Sequence, residues 1–96
     1  MFVHVVFFKL KERNAENMEK VKNILMRVDG KVPTLNTIKV GTDVVGSDRS
    51  YDVALIATFD SREDMDAYQV HPVHLNEVKA NLKSLVSSSV SVDFNS

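Results

Sequence analysis

The sequence predicts an α+β fold: a four-stranded sheet with its helices gathered on one face, in the ferredoxin-like order βαββ(αα)β. Three observations carry that prediction. The segment Phe2 to Leu10 is β-rich and apolar on both faces, stretches of helical spacing are interleaved with strand-like ones, and the C-terminal residues alternate valine with serine. At 96 residues the chain reads as one domain, residues 1–96, within the ~50–250 usual for one. A chain this size buries roughly 60–65% of its unfolded surface, so its core is thin and a second subunit would add to it.

Each element follows from its residues. Phe2 to Leu10 is rich in β-branched and aromatic side chains and reads as a strand. Phe2, His4, Val6, Phe8 and Leu10 fall on one face, and Val3, Val5 and Phe7 on the other. A strand apolar on both faces is covered on both. Asn14 can cap a helix running to about Asp29, with Met18, Val21, Leu25 and Val28 as its stripe. Gly30 stops it, and Pro33 forbids continuation. Leu35 to Val45 reads as a second strand through Ile38, Val40 and Val44, with Gly41 suggesting a bulge or bend. Gly46 to Ser50 has loop composition, and Tyr51 to Phe59 makes the third strand. Ser61 followed by Asp64 resembles a capping pair opening a short helix to about Val70. His71-Pro72 breaks it, because the residue before proline avoids the helical region; Pro72 suits the first turn of the next helix. Leu75, Val78, Leu82 and Leu85 supply that helix's stripe. Val86, Val90, Val92 and Phe94 then alternate with Ser87, Ser89, Ser91 and Asp93 in a half-buried last strand.

Helices on one face leave Val3, Val5 and Phe7 as an exposed patch in a monomer. A two-fold homodimer packed sheet face to sheet face removes it. The net charge is −1, with 12 basic residues scattered among 13 acidic ones, so no nucleic-acid partner is expected. The longest apolar run, Val5 to Phe8, is far short of the ~20 residues that cross a bilayer, so no membrane partner is expected either. The chain opens directly into strand-like sequence without a signal-type segment, which makes a cytoplasmic location the expectation. Without cysteine there is no disulfide, thiol nucleophile or thiolate metal site.

Four segments together resemble a known family. His4 to Lys11, Val40-Gly41-Thr42-Asp43, the stretch from Phe59-Asp60-Ser61 through Ala67-Tyr68 to His71-Pro72-Val73-His74, and Val92-Asp93-Phe94 are similar to the stress-responsive dimeric α/β-barrel (Dabb) domain. The resemblance spans essentially the whole chain. It implies a homodimer whose two sheets close into one barrel, in a family most of whose members have no assigned reaction and whose plant members are associated with stress tolerance. One plant branch looks like a group of polyketide cyclases that use a Tyr and a His as general acid and base. Those two fall on Tyr68 and His74, and a first-strand His of theirs falls on His4. A further pocket histidine, at the start of the third strand, is replaced here by Val53. His71, Val53 and Phe8 complete the expected ligand-contacting set.

The residues themselves leave each role open. His74 would lie in a first helical turn, where unpaired N–H groups and the helix dipole disfavour an imidazolium and leave the neutral form a base requires. At 100° per residue it sits roughly 70° off the stripe, flanking the core. Its bland reading is a structural histidine capping a carbonyl. Tyr68, three residues after Met65, belongs to the buried face of its helix; its hydroxyl bonds either His74 or a backbone carbonyl. His71 reads as a corner residue or a pocket residue, and His4 as a core or a pocket histidine. Pro72 between His71 and His74 spoils the i, i+3 geometry a metal needs, and no carboxylate is placed as an evident third ligand, so no metal site is expected. No glycine-rich phosphate loop or nucleophile elbow occurs, and no cofactor is expected.

Three functions are compatible with this pattern. One is a stress-associated or ligand-binding protein without turnover, taking a small apolar or phenolic molecule. Another is a polyketide-cyclase-like enzyme with Tyr68 and His74 as acid and base. The third is a cofactor-independent oxygenase of aromatic substrates. An enzyme needs a cavity of ~300 Å³ or more into which Tyr68, His74 and His4 project; a purely structural protein fills that space with Phe2, Phe8, Met18 and Met65.

Overall fold

The two helix starts form where side-chain oxygens can satisfy free backbone donors. In the computed structural model, which describes residues 1–96, Asn14 Oδ1 accepts the Asn17 N–H at 2.7 Å and opens α1 (Ala15–Leu25). Ser61 Oγ accepts the Asp64 N–H at 3.2 Å and opens α2 (Arg62–Gln69). A 3₁₀ turn over Met26–Val28 extends α1, and Gly30 at φ 72° ends it in the left-handed region where glycine carries no Cβ penalty. The third helix, α3, is wound as a π-helix over Val73–Lys79 and finishes as an α-helix over Ala80–Leu82. The strands are β1 (Phe2–Leu10), β2 (Thr37–Thr42), β3 (Val53–Phe59) and β4 (Val86–Asn95).

The four strands form one antiparallel sheet in the order β2-β3-β1-β4, the ferredoxin-like arrangement, with its edges open. On the helix side Phe2, Phe8 and Leu10 of β1 and Val53, Leu55, Ala57 and Phe59 of β3 are buried. Met18, Val21, Ile24 and Leu25 of α1, Met65 and Tyr68 of α2, and Val78 of α3 cover them. Each fully buried apolar side chain here contributes about 1.5–3 kcal/mol. The other sheet face is bare. Phe7 opposite Val90, Val5 opposite Val92 and Val3 opposite Phe94 form a cross-strand apolar ladder, and Phe7, Val92 and Phe94 are 42%, 64% and 46% exposed.

Strand ends and register depart from the expected ones for identifiable reasons. β2 stops at Thr42, short of Val45, because Asp43 Oδ2 accepts the Val45 and Gly46 N–H groups and turns the chain out of the sheet. β3 begins at Val53 because buried Asp52 uses its side chain to hold the Leu10 N–H and Arg13 Nη1, both at 2.7 Å. Gly41 carries no bulge; it pairs Ala54 in an unbroken β2–β3 register. The irregularity falls between β1 and β4, where Lys9 pairs Ser88 but Leu10 pairs Val86. A one-residue slip reverses faces. Val86 therefore turns towards the helices while Val90, Val92 and Phe94 stay on the bare side.

α3 also departs from its expected stripe. Val78 is buried, but Leu75 is 39% exposed. The Ala80 N–H bonds the Leu75 carbonyl five residues back, so the extra residue in that turn rotates Leu75 outward.

Candidate functional site

The register that turns Ser89, Ser91 and Asp93 towards the helix side sets them opposite Phe8, Val6 and His4. Residues from Ser87 onward remain exposed, so the helical layer leaves a gap over this strand. The gap is a cavity of about 370 Å³ between α3 and the β1–β4 half of the sheet. Val6, Phe8, Leu55, Val78 and Leu82 supply much of its apolar wall; His4, Tyr68, Gln69 and His74 face it from one side, and Lys79, Lys83, Ser89 and Ser91 from the other. Two clefts of similar size lie elsewhere, one beside Tyr51 and Ala54 and one beside Ala15 and Val44, but neither gathers imidazoles.

His4 is 7% exposed at the cavity floor, and both its ring nitrogens are engaged. Nδ1 is hydrogen-bonded to Asp93 Oδ1, and Nε2 lies 3.4 Å from Gln69 Nε2. A carboxylate only accepts, so the hydrogen-bond network assigns the proton to Nδ1. Nε2 is then a lone pair facing Gln69 across a long, weak contact. The carboxylate fixes the tautomer and stabilises the imidazolium that forms when Nε2 takes a proton.

His74 packs on Tyr68 with ring centroids 4.7 Å apart. Its Nδ1 is buried without a hydrogen-bond partner in the protein. Burial pushes its pKa below the usual imidazole value; the Gln69 backbone carbonyl opposes that, and the nearby charges of Lys79 and His4 add to it. His74 is therefore neutral at neutral pH. Tyr68 is 2% exposed and sits between His74 and Phe59, whose ring centroid is 5.2 Å away. Burial alone lifts its hydroxyl to about 12. No hydrogen bond joins that hydroxyl to another protein group, His74 included, and Tyr68 lines the cavity.

Of the expected site residues, His4, Tyr68, His74 and Phe8 come together. His71 and Val53 do not. His71 Nδ1 accepts the Val73 N–H at 3.1 Å, tying the corner between α2 and α3. Val53, 2% exposed, is packed in the core at the opposite end of β3 from Ala57, the residue that pairs His4. No group of three or more His, Cys, Asp or Glu side chains converges to hold a metal ion, and no helix is long and apolar enough to cross a membrane.

Gln69, Asp93, Lys79, Lys83, Ser89 and Ser91 were not anticipated as site residues. The serine alternation in the last strand was a usable signal, since a polar strand face beside an apolar one must point somewhere wet. The lysines had no usable signal, because α-helical spacing sets Lys79 about 140° from His74. The i→i+5 bonding of the π segment stacks residues five apart and brings the two onto one face.

The profile of a family described as Stress responsive A/B Barrel Domain matches residues 2–96. Similar solved structures include a dimeric protein of unknown function and ferredoxin-like fold from Bacteroides fragilis, 26% identical with a TM-score of 0.81 over 97% of this chain and 93% of that one. A dimeric ferredoxin-like protein of unknown function from Thermobifida fusca is 26% identical, with a TM-score of 0.81 over 97% of this chain and 88% of that one. Hydroxynitrile lyase from Passiflora edulis, 19% identical with a TM-score of 0.78 over 97% of this chain and 90% of that one, shares the fold. No curated protein matches the sequence.

Proposed function

This chain belongs to the stress-responsive A/B barrel domain (Dabb) family, and from that premise we propose that it is a homodimeric acid–base enzyme of a small phenolic or carbonyl compound. One observation carries the reading: His4, Tyr68 and His74 all line a single open cavity of about 370 Å³ that the core side chains leave unfilled. That volume is at the lower end of small-molecule sites, which run from about 300 to 1,000 Å³. Cavity walls lined by Phe8, Leu55 and Val78 suit an aromatic or short aliphatic body.

The chemistry follows from the proton positions. A substrate entering the cavity displaces the weak Gln69 contact and presents an acidic C–H or O–H to His4 Nε2. The proton moves to Nε2, and Asp93 compensates the new imidazolium charge. For a C–H the electron pair moves onto the adjacent carbonyl oxygen, giving an enolate. Tyr68, whose hydroxyl stays protonated because its pKa is about 12, donates a hydrogen bond to that oxygen instead of ionising. His74, neutral beside it, provides a second acceptor. The proton returns from His4 to the carbon or the oxygen of the same substrate to close the cycle.

The bare sheet face supports the homodimer, as do the two neighbours described as dimeric. A second copy laid on Val5, Phe7, Val92 and Phe94 closes the two open sheets into a barrel and removes a patch too apolar for a soluble monomer. Val53, where the plant polyketide cyclases carry a further imidazole, is packed in the core and does not line this cavity, so the proposed chemistry rests on His4, Tyr68 and His74 alone.

4-Hydroxyacetophenone, a phenol and a ketone in one molecule, tests the reading. Titrated against labelled protein, it shifts the imidazole resonances of His4 and His74, and the protein exchanges its methyl protons for deuterium faster than buffer does. Asp93→Asn lowers that exchange by roughly 10²-fold or more. Unperturbed imidazoles together with exchange at the buffer rate would sink the proposal.

A further inference from the structure

The two lysines on the cavity wall carry an inference of their own. Lys79 and Lys83 flank the last turn of α3, Ala80–Leu82, four residues apart, and both line the cavity. Neither is within ion-pair reach of a carboxylate, whereas Lys20 and Lys31 pair with Glu16 and Glu77. The nearby acids are already committed: Asp93 to His4, and Glu77 towards Lys31. None of the cavity's 15 lining residues is an aspartate or a glutamate. A half-apolar cavity is thus lined by two lysines without an ion-pair partner, and the carboxylate nearest it, Asp93, is committed to His4.

We infer that Lys79 and Lys83 form an anion-recognition wall, and that the cavity's natural ligand carries a carboxylate opposite the end presented to His4 and Tyr68. This rests on the cavity being the ligand site proposed above and narrows the substrate to a small aromatic or unsaturated acid. A carboxylate spreads one charge over two oxygens and can take one ammonium at each, with the Ser89 and Ser91 hydroxyls on the facing strand as further donors. The ring or chain of the acid lies on Phe8, Leu55 and Val78, which sets the reacting carbon or hydroxyl towards the imidazoles. The neutral state of His74 fits the same picture, since Lys79 disfavours a second cation there.

The probes are 4-hydroxybenzoate and its uncharged isostere 4-hydroxybenzamide, measured by titration calorimetry and by the His4 and His74 imidazole resonances. Near neutral pH and at low salt, wild type is expected to bind the acid on the order of tenfold more tightly than the amide, the scale of one charge-assisted hydrogen bond. That preference shrinks at about 0.3 M salt, where exposed charges are screened. The double variant Lys79→Met/Lys83→Met loses the preference while still binding the amide, and Lys79→Arg/Lys83→Arg keeps it. Both lysines are exposed, so neither change disturbs the core. Equal affinity for acid and amide in wild type overturns the inference and leaves the ligand site standing, as does a preference that survives in the methionine variant. Failure of wild type to bind either probe, with the imidazoles unmoved, overturns both.

Discussion

Replacing Tyr68 by phenylalanine removes one oxygen and nothing else, and the structure says what that oxygen does. A buried hydroxyl with a protein partner contributes about 0.5–1.5 kcal/mol, and deleting it leaves the partner unpaired at a further cost of about 1–3 kcal/mol. The Tyr68 hydroxyl has no protein partner, and burial alone accounts for its raised pKa of about 12. Tyr68→Phe should therefore change stability by no more than about 0.5 kcal/mol. In a domain of this size about 1 kcal/mol moves the melting midpoint roughly 4–8 °C, so the expected shift is about 2–4 °C at most. Tyr68→Ala differs, because the ring is 2% exposed and packs on Phe59 and His74; its loss costs about 3–5 kcal/mol. Thermal unfolding by circular dichroism, run beside the deuterium-exchange assay, separates the roles. The expected result for Tyr68→Phe is an unchanged midpoint with exchange reduced roughly 10²–10⁴-fold. A loss of about 1.5 kcal/mol with exchange intact would mean that the hydroxyl holds the fold and that Tyr68 is not the hydrogen-bond donor to the substrate.

Two further outcomes are expected. His74 has its pKa lowered in the folded state from 6.5, so the unfolded chain takes up that proton first as the pH falls. Its contribution to stability is complete above pH 6.5 and is lost below it at up to about 1.4 kcal/mol per pH unit, until the folded value is reached. Urea midpoints followed from neutral to mildly acidic pH should show this slope in wild type and not in His74→Asn; the same slope in both would assign it to another group. Phe7→Lys places a charge in the middle of the bare sheet face and should turn the dimer into monomer or insoluble protein, read by light scattering after gel filtration. A soluble dimer after that change would refute sheet-to-sheet packing.

Much of the fold could be read from the residues because local chemistry decided it. Both faces of β1, the Asn14 and Ser61 caps and the Gly30 stop depend on nearest neighbours, and all appear where expected. The His4–Asp93 pair lies at the other extreme, joining side chains 89 residues apart. Only the β1–β4 register brings them opposite each other, and that register includes a slip between Lys9 and Leu10 that periodicity does not announce. His4, Tyr68 and His74 stood out as residue types, whereas Lys79 and Lys83 looked like ordinary surface lysines. Of the two readings open for His71, corner or pocket, the ring takes the corner one by accepting the Val73 N–H, a direction that its place in the His-Pro-x-His run does not announce.

The winding of α3 has a consequence for how this pocket is encoded. Leu75, Val78, Leu82 and Leu85 are spaced for a plain α-helix, yet the chain forgoes burying Leu75 and carries one more residue per hydrogen-bonded ring through Val73–Lys79. The same side chains wound as α would form a better apolar seam and send His74 and Lys79 to different sides. What separates a well-packed scaffold from a scaffold with a charged, imidazole-bearing hollow is thus the hydrogen-bond pattern of one stretch of helix, with no change in which residues are present.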